Sequence, residues 1–387
     1  MAFELQFLGA TERVTGSLYL LRAGEAQIVL ECGLVQGVPD EEAHNREPFP
    51  FEIDAIDAVV ISHSHIDHSG RVPLLVKQGY AGPVYTHEAS KALCEIMLPD
   101  SGYLNEKEAE WENRKRMRKG LKPVEALYTV ADARLAMSHF KGLVYDQKVK
   151  ILPNVTLRLR DAGHILGSAS IFLELEEDGR QHRLLFSGDL GAKDTPILPD
   201  PQNPEPADLV VLESTYGDRQ HDDRVHRIQR LGRVLNRALS DGGKVFIPAF
   251  ALGRTQELLY EMDRLVSDRE CHGAFPMLGS DSAVPVFVDT PLGLNITKIY
   301  AGLNEFWDRE AGQLYRQYLT EQAQQVADAH VQVDQQARVL RRQGGGVGQD
   351  QVLPAVDVHE IEVDLRNRGS VLVDQSSGDD EPVGQHD

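Results

Sequence analysis

The sequence predicts an α/β protein, a layered β-sheet scaffold that carries a metal site at the ends of its strands. Three observations point there. Four potential metal ligands, His63, His65, Asp67 and His68, crowd into Ile61-Ser-His-Ser-His-Ile-Asp-His-Ser-Gly-Arg71, directly after the apolar run Ala58-Val-Val-Ile61. The same pattern, an apolar strand, a glycine turn and then a His or Asp, returns at His164 (after Asp161-Ala-Gly163) and at Asp189 (after Ser187-Gly188). Farther on, strand-like and helix-like stretches alternate, which suggests a βαβ layer with parallel strands.

Each element follows from its residues. Glu4–Leu8, Gly16–Leu21 and Gln27–Glu31 read as three strands of a hairpin or meander, with turns at 9–12 and 22–25. Glu31 closes the third strand beside Cys32-Gly33, where a carboxylate is either a metal's supporting partner or a surface acid. Residues 54–61 form the strand before the cluster; His63 and His65 alternate as extended residues do, and Asp67 and His68 come one turn later. Val72–Gly79 reads as a helix, Gly82–Thr86 as a strand, and 88–142 as mostly helical and rich in charge, with the basic run Lys115-Arg-Met-Arg-Lys119 and Lys122. Such a run is more often a solvated helix face than a phosphate-binding surface.

Strands return at Val149–Leu152, Val155–Leu159, Ser170–Leu175 and Arg183–Phe186, and Leu209-Val-Val-Leu-Glu213 reads as another buried strand ending in an acid. Residues 216–300 change character. Asp222–Leu239 and Thr255–Leu265 read as helices, Gly243–Pro248 and Val284–Asp289 as strands, and 295–318 as helical. After Tyr318 the chain has no aromatic residue, no Lys and no Cys; it has little to bury and is expected to be largely disordered.

The 387 residues leave room for two domains. A hydrophobic fraction of 41% and a charged fraction of 26% are ordinary for a soluble globular chain. No run is long enough to span a membrane, nothing near the start reads as a signal peptide, and Cys32, Cys94 and Cys271 are too scattered for a disulfide framework or a thiolate zinc site. A cytoplasmic protein without a membrane partner is expected. The net charge of −20 argues against non-specific nucleic-acid binding over the whole surface. A local groove with bound cations remains compatible with phosphate.

Four His and two Asp form a mixed nitrogen and oxygen set that suits Zn²⁺, and less often Mn²⁺ or Fe²⁺, in a catalytic site. His63, His65 and His164 can hold one ion; Asp67, His68 and Asp189 can hold a second, with Asp189 able to bridge. Two ions about 3.5–4 Å apart would generate a metal-bound hydroxide and clamp the oxygens of an in-line displacement. Hydrolysis of an ester, amide or phosphodiester follows.

His63-Ser-His-Ile-Asp-His68, then His164, then Asp189 resembles the signature of the metallo-β-lactamase fold. Val211-Leu-Glu-Ser-Thr-Tyr-Gly-Asp-Arg219, Ile247-Pro-Ala-Phe-Ala-Leu-Gly-Arg-Thr-Gln-Glu257 and Val286-Phe-Val-Asp-Thr-Pro-Leu292 resemble its β-CASP branch, whose members include cleavage-and-polyadenylation endonucleases and prokaryotic RNA nucleases. The resemblance spans about residues 1–315. It implies an αββα sandwich with an inserted β-CASP domain, two zinc ions and cleavage of RNA phosphodiester bonds. It divides the chain into a metallo-β-lactamase domain (1–215), a partial β-CASP domain (216–318) and a divergent tail (319–387). Asp67 and Glu213 are then the catalytic acids, with Glu213 orienting its neighbours, and Ser214, Thr215 and Arg254 line the RNA cleft. Glu31 supports the metal ligands.

Two departures qualify the resemblance. Glu31 stands where the family usually has Asp, and the carboxylate reaches one methylene further. The family's later Ser-Gly-Met segment, its Ser-Ala-His-Ala-Asp-like motif and its late His-Gly are missing; His330, His359 and His386 lack the right neighbours. The expectation is an impaired second metal site, a missing return segment, and an end that is either frame-shifted or a lineage-specific tail. A zinc ribonuclease is the leading reading. An inactive relative that binds RNA or a partner, and a small-molecule metallo-hydrolase, are the alternatives. The family often dimerises, so a homodimer or a family partner subunit is expected beside RNA.

Overall fold

The structure, a computed structural model, describes residues 3–177, 179–220, 226–240, 244–267, 273–278 and 286–315. The expected tail 319–387 with its three histidines lies outside the described residues, as do 222–225, Gly243 and 284–285. The chain divides into two compact units. The first comprises Met1–Asp222, Ala249–Glu257 and Pro291–Gln313, and the second draws on Asp223–Pro248 and Leu258–Thr290.

Two sheets build the first unit. One has six strands in sequence order: β1 (Glu4–Phe7), β2 (Leu18–Ala23), β3 (Ala26–Cys32), β4 (Ala58–Val60), β5 (Val84–His87) and β6 (Phe140–Leu143). The first three make the predicted antiparallel meander, and β3 to β6 run parallel. All three residues of β4 are buried, as a strand covered on both faces requires. The other sheet has the order β11-β10-β9-β8-β7. Its members are β7 (Val149–Leu152), β8 (Val155–Asp161), β9 (Ala169–Glu177), β10 (Arg180–Phe186) and β11 (Leu209–Val211), antiparallel but for β10–β11.

The period-2 alternation of apolar residues sends one set from each sheet into a shared core. Leu21, Ile28, Leu30 and Val60 of the first sheet meet Leu157, Ile171, Leu173, Leu184 and Phe186 of the second. The opposite face of the first sheet, with Leu20, Val29, Val59 and Val84, packs on the helices α3 (Val72–Lys77), α4 (Glu88–Arg118) and α5 (Val130–Met137) through Leu75, Cys94, Leu98 and Ala133. Short helices α1 (Glu41–Arg46) and α2 (Ile66–Ser69) sit in the connections. The His87 ring caps α4 by accepting the Ala89 N–H (3.2 Å), and a Thr129–Asp132 capping box starts α5. On the outer face of the second sheet, Arg158 and Arg160 reach Glu205 of the following loop.

Three expectations are corrected. Leu209-Val-Val-Leu-Glu213 is an edge strand, not a buried one: Val210 is 53% exposed because β11 has β10 on one side and no further strand among the described residues. No strand forms over 244–248, where Phe246 is 88% exposed, and only an isolated bridge occurs at Val286. An apolar run becomes a strand only where a partner ladder satisfies its N–H and C=O groups, and none is present among the described residues. The helix expected over 295–318 forms with an interruption: α8 (Pro291–Gly302) is followed by a tight turn at Asn304–Phe306, and the chain is helical again over 309–315, the last described residues.

The expected helices of the second unit do form: α6 (Arg227–Leu239) and most of α7 (Arg254–Ser267). Leu235, Leu265, Phe275 and Leu278 make a small core there. No helix among the described residues is long and apolar enough to cross a membrane.

Candidate metal centre

Parallel pairing places the C-terminal ends of β3 and β4 side by side, with Leu30 opposite Val60. Glu31, the residue after Leu30, thereby reaches Ser62, two residues beyond Val60: Glu31 Oε1 accepts the Ser62 N–H at 2.9 Å. The Ser62 carbonyl in turn accepts the Ala169 N–H at 2.9 Å, which ties the first residue of β9 to the end of β4. Loops from both sheets thus open at one corner, and the ligand residues lie on them.

His63 and His65 flank an extended turn, and Asp67 and His68 occupy α2. Gly33 makes this packing possible. A Cβ there would lie 1.6 Å from the Asp67 carbonyl oxygen, so only glycine lets the two segments touch. The Asp67 carbonyl also accepts the Ser17 N–H (2.9 Å). The loop bearing His164 is held against α4: Ser90 Oγ donates to the Gly167 carbonyl at 2.7 Å, and Ser168 Oγ accepts the His164 N–H at 2.9 Å.

The ring nitrogens converge. His63 Nε2 is 2.9 Å from His65 Nδ1, and His164 Nε2 is 3.2 Å from the same atom. Asp189 Oδ2 faces this trio, 3.5 Å from His164 Nε2 and 3.8 Å from His63 Nε2. The four ligand atoms all lie within 4.8 Å of one another. On the other side of Asp189, Oδ1 is 3.2 Å from His68 Nε2, which is 3.6 Å from Asp67 Oδ2. Asp189 therefore stands between a three-histidine group and an Asp67–His68 group, as a bridging ligand would.

The donor chemistry fits a cation. Three imidazole nitrogens aimed at one point repel one another unless a positive charge sits among them. Burial and the neighbouring imidazoles hold His63 well below the ordinary histidine value, and the same causes push His65 down to about 3. Both rings are neutral and carry the lone pair that a metal requires. Asp189 is held ionised at about 2: burial opposes its charge, but His68 and the other histidines outweigh it. Ser62 Oγ lies 2.8 Å from His63 Nδ1, a hydrogen-bond distance that fixes the ring with Nε2 turned toward the cluster.

Glu31 is fully buried, and burial raises its carboxyl above the ordinary value. Its Oε2 lies 3.3 Å from His68 Nδ1, yet neither atom has a well-aligned hydrogen-bond partner. Glu213 accepts the Leu190 N–H at 2.8 Å, and its own N–H donates to Ser187 Oγ at 3.0 Å, so it braces Asp189 from both flanks of the loop.

The structure thus gathers His63, His65, Asp67, His68, His164, Asp189, Glu31 and Glu213. Of the expected substrate contacts, Thr215 donates its N–H to Glu213 Oε2 at 3.4 Å. Ser214 and Thr215 are exposed, and Arg254 pairs with Glu257 at the start of α7. Ser62, Ser168 and Ser187 were missed. A serine in a loop carries no signal of its own; only the repeated placement of Ser beside each ligand loop hinted at them.

Residues 12–224 match the family model of the metallo-beta-lactamase superfamily. The chain belongs to this superfamily. Among its curated relatives in the superfamily, ribonuclease TTHA0252 of Thermus thermophilus is 36% identical over 78% of this chain and 62% of its own length. The transcription termination factor FttA of Methanothermobacter thermautotrophicus is 31% identical over 74% of this chain and 42% of that protein. The probable RNase MJ4 of Methanocaldococcus jannaschii is 33% identical over 66% of this chain and 55% of that protein. The chain spans less than two thirds of the length of each.

Proposed function

We propose that this metallo-beta-lactamase superfamily member hydrolyses RNA phosphodiester bonds at a site for two zinc ions, and that it belongs to the β-CASP branch. The observation that carries the reading is the convergence of three imidazoles and the Asp189 carboxylate on one point, with His68 and Asp67 on the far side of the same carboxylate. Two relatives named ribonuclease or RNase supply the substrate class.

His63 Nε2, His65 Nδ1 and His164 Nε2 would hold the first ion, and Asp67 and His68 the second, with Asp189 shared. Zinc bound there supplies Lewis acidity and a water acidic enough to lose its proton near neutral pH. The protein's own groups do the rest. Asp67 Oδ2 accepts the proton of the attacking water. Glu213 fixes the Leu190 amide and so the direction of Asp189. Glu31 holds the His68 Nδ1 side from 3.3 Å, which keeps Nε2 turned toward Asp189. Ser214 and Thr215 offer hydroxyls to the RNA backbone. Arg254, which now pairs with Glu257, exchanges that carboxylate for a phosphate, the anion its planar fork matches.

Residues 1–215 are read as the catalytic domain, 216–318 as a partial β-CASP domain and 319–387 as a divergent tail. A cytoplasmic location, and a homodimer or a family partner subunit, complete the reading. Elemental analysis combined with cleavage of a labelled single-stranded RNA tests it. Two zinc ions per chain, with cutting abolished in Asp67→Ala, are expected. RNA bound but left intact by zinc-loaded protein would overturn it in favour of a non-catalytic relative.

A further inference from the structure

Helix α4 carries a feature the metal centre does not use. It begins beside the His164 loop, where Ser90 bonds Gly167. It then runs for 31 residues, about 45 Å at 1.5 Å per residue. Along its far half, Tyr103, Lys107, Trp111, Lys115 and Arg118 follow one another at intervals of four, four, four and three residues, which places them in one stripe. Aromatic rings and cations alternate within it. Lys107 Nζ lies over the Tyr103 ring at 5.6 Å, and Lys115 Nζ lies over the Trp111 ring. Tyr103 is 51% exposed and Trp111 58%.

The charge grows toward the helix end. Lys107 is balanced by Glu110 at 3.0 Å, Arg114 lies 4.0 Å from the same carboxylate, and Arg116 is 3.9 Å from Glu112. Beyond them Arg118, Lys119 and Lys122 are exposed and have no ion pair among the described residues. In a chain of net charge −20 this is a local reversal of sign. Stabilisation of the helix C-terminus accounts for a basic last turn. It does not account for two large aromatic rings on the same stripe that each leave more than half of their surface in water.

Alternating ring faces and cations at about 6 Å steps are what an unpaired polynucleotide recognises: bases stack on the rings, and phosphates meet the ammonium and guanidinium groups. We propose that this stripe of α4 binds single-stranded RNA without sequence preference and guides it toward the metal centre. Trp111 lies 23 residues from the helix start, about 35 Å from the His164 loop. A strand rising about 3.4 Å per nucleotide spans that distance in roughly ten nucleotides. The proposal rests on the reading of RNA as substrate, but concerns a surface remote from the site that cuts.

Binding of fluorescein-labelled oligouridylates of 5 and 20 nucleotides, followed by anisotropy with EDTA present, tests it on the full chain. Trp111→Ala should weaken the 20-mer about tenfold and leave the 5-mer unchanged. Arg118→Glu combined with Lys119→Glu should do the same and lower the salt dependence of 20-mer binding by a slope of at least about 1.4. The tryptophan fluorescence of the wild type should be quenched by the 20-mer, and Trp111→Phe should remove that quenching. Unchanged 20-mer affinity in both variants, with far-ultraviolet circular dichroism intact, would overturn the proposal. A separate cleavage assay distinguishes the two readings. RNA that is cut while the stripe variants bind normally refutes the stripe alone; RNA that is bound through the stripe but not cut refutes the nuclease reading alone.

Discussion

At Glu31 one buried carboxylate serves two segments: Oε1 takes the Ser62 N–H, and Oε2 faces His68. Glu31→Gln keeps an oxygen for Ser62 and removes the charge opposite His68. Zinc affinity, read by competition with a chelator, is expected to fall about 10- to 100-fold while the fold persists. An unchanged affinity would show that the carboxylate only supports the loop. At Gly33 the limit is space, because an added methyl group meets the Asp67 carbonyl. Gly33→Ala is expected to cost about 1–3 kcal/mol in urea unfolding and to lower metal content, since the loop carrying Asp67 must shift. The ligands themselves are legible in the sequence because six residues of metal-binding type recur after apolar strands. Their supports are not: Ser62, Ser168 and Ser187 acquire roles only once strand register places each hydroxyl beside a ligand loop.

Strands and helices set the next scale. Leu173 sits in the middle of β9, opposite Leu157 and Leu184 and fully buried between the sheets. Leu173→Ala should cost about 2–5 kcal/mol by chemical denaturation, whereas Trp111→Ala on the exposed stripe of α4 should stay within about 0.5 kcal/mol. At the end of β8, burial pushes the Asp161 carboxyl up to about 6, although its Oδ1 accepts the Gly163 N–H at 2.8 Å. The fold therefore prefers the protonated form. That contribution is complete below pH 4 and is lost as pH rises through about 6. Asp161→Asn keeps the acceptor and cannot ionise, so its melting temperature relative to wild type should rise between pH 4 and pH 7; a constant difference would contradict the burial argument. Most strands of the first unit could be read from alternation and glycine turns. The strands expected at 243–248 and 284–289 could not be decided that way, because an apolar run does not reveal whether a partner ladder exists. The exposure of β11 escaped for the same reason.

At the scale of the whole molecule, a chain of net charge −20 carries a candidate cation site at the corner of two sheets and a cationic end on α4. The αββα resemblance was legible because its motifs are dense and fall at strand ends, and the two packed sheets with helices on the first bear out the superfamily's fold. Arg254, Ser214 and Thr215 were named from the resemblance, and no side-chain pattern in the sequence says which surface they share. Cleavage of a 5′-labelled single-stranded RNA by protein stripped with a chelator and then reloaded with zinc tests the central claim most directly. Cutting should vanish on stripping, return with zinc, and stay absent in reloaded Asp67→Ala. Cutting that survives stripping, or intact RNA after two zinc ions are bound, would contradict it.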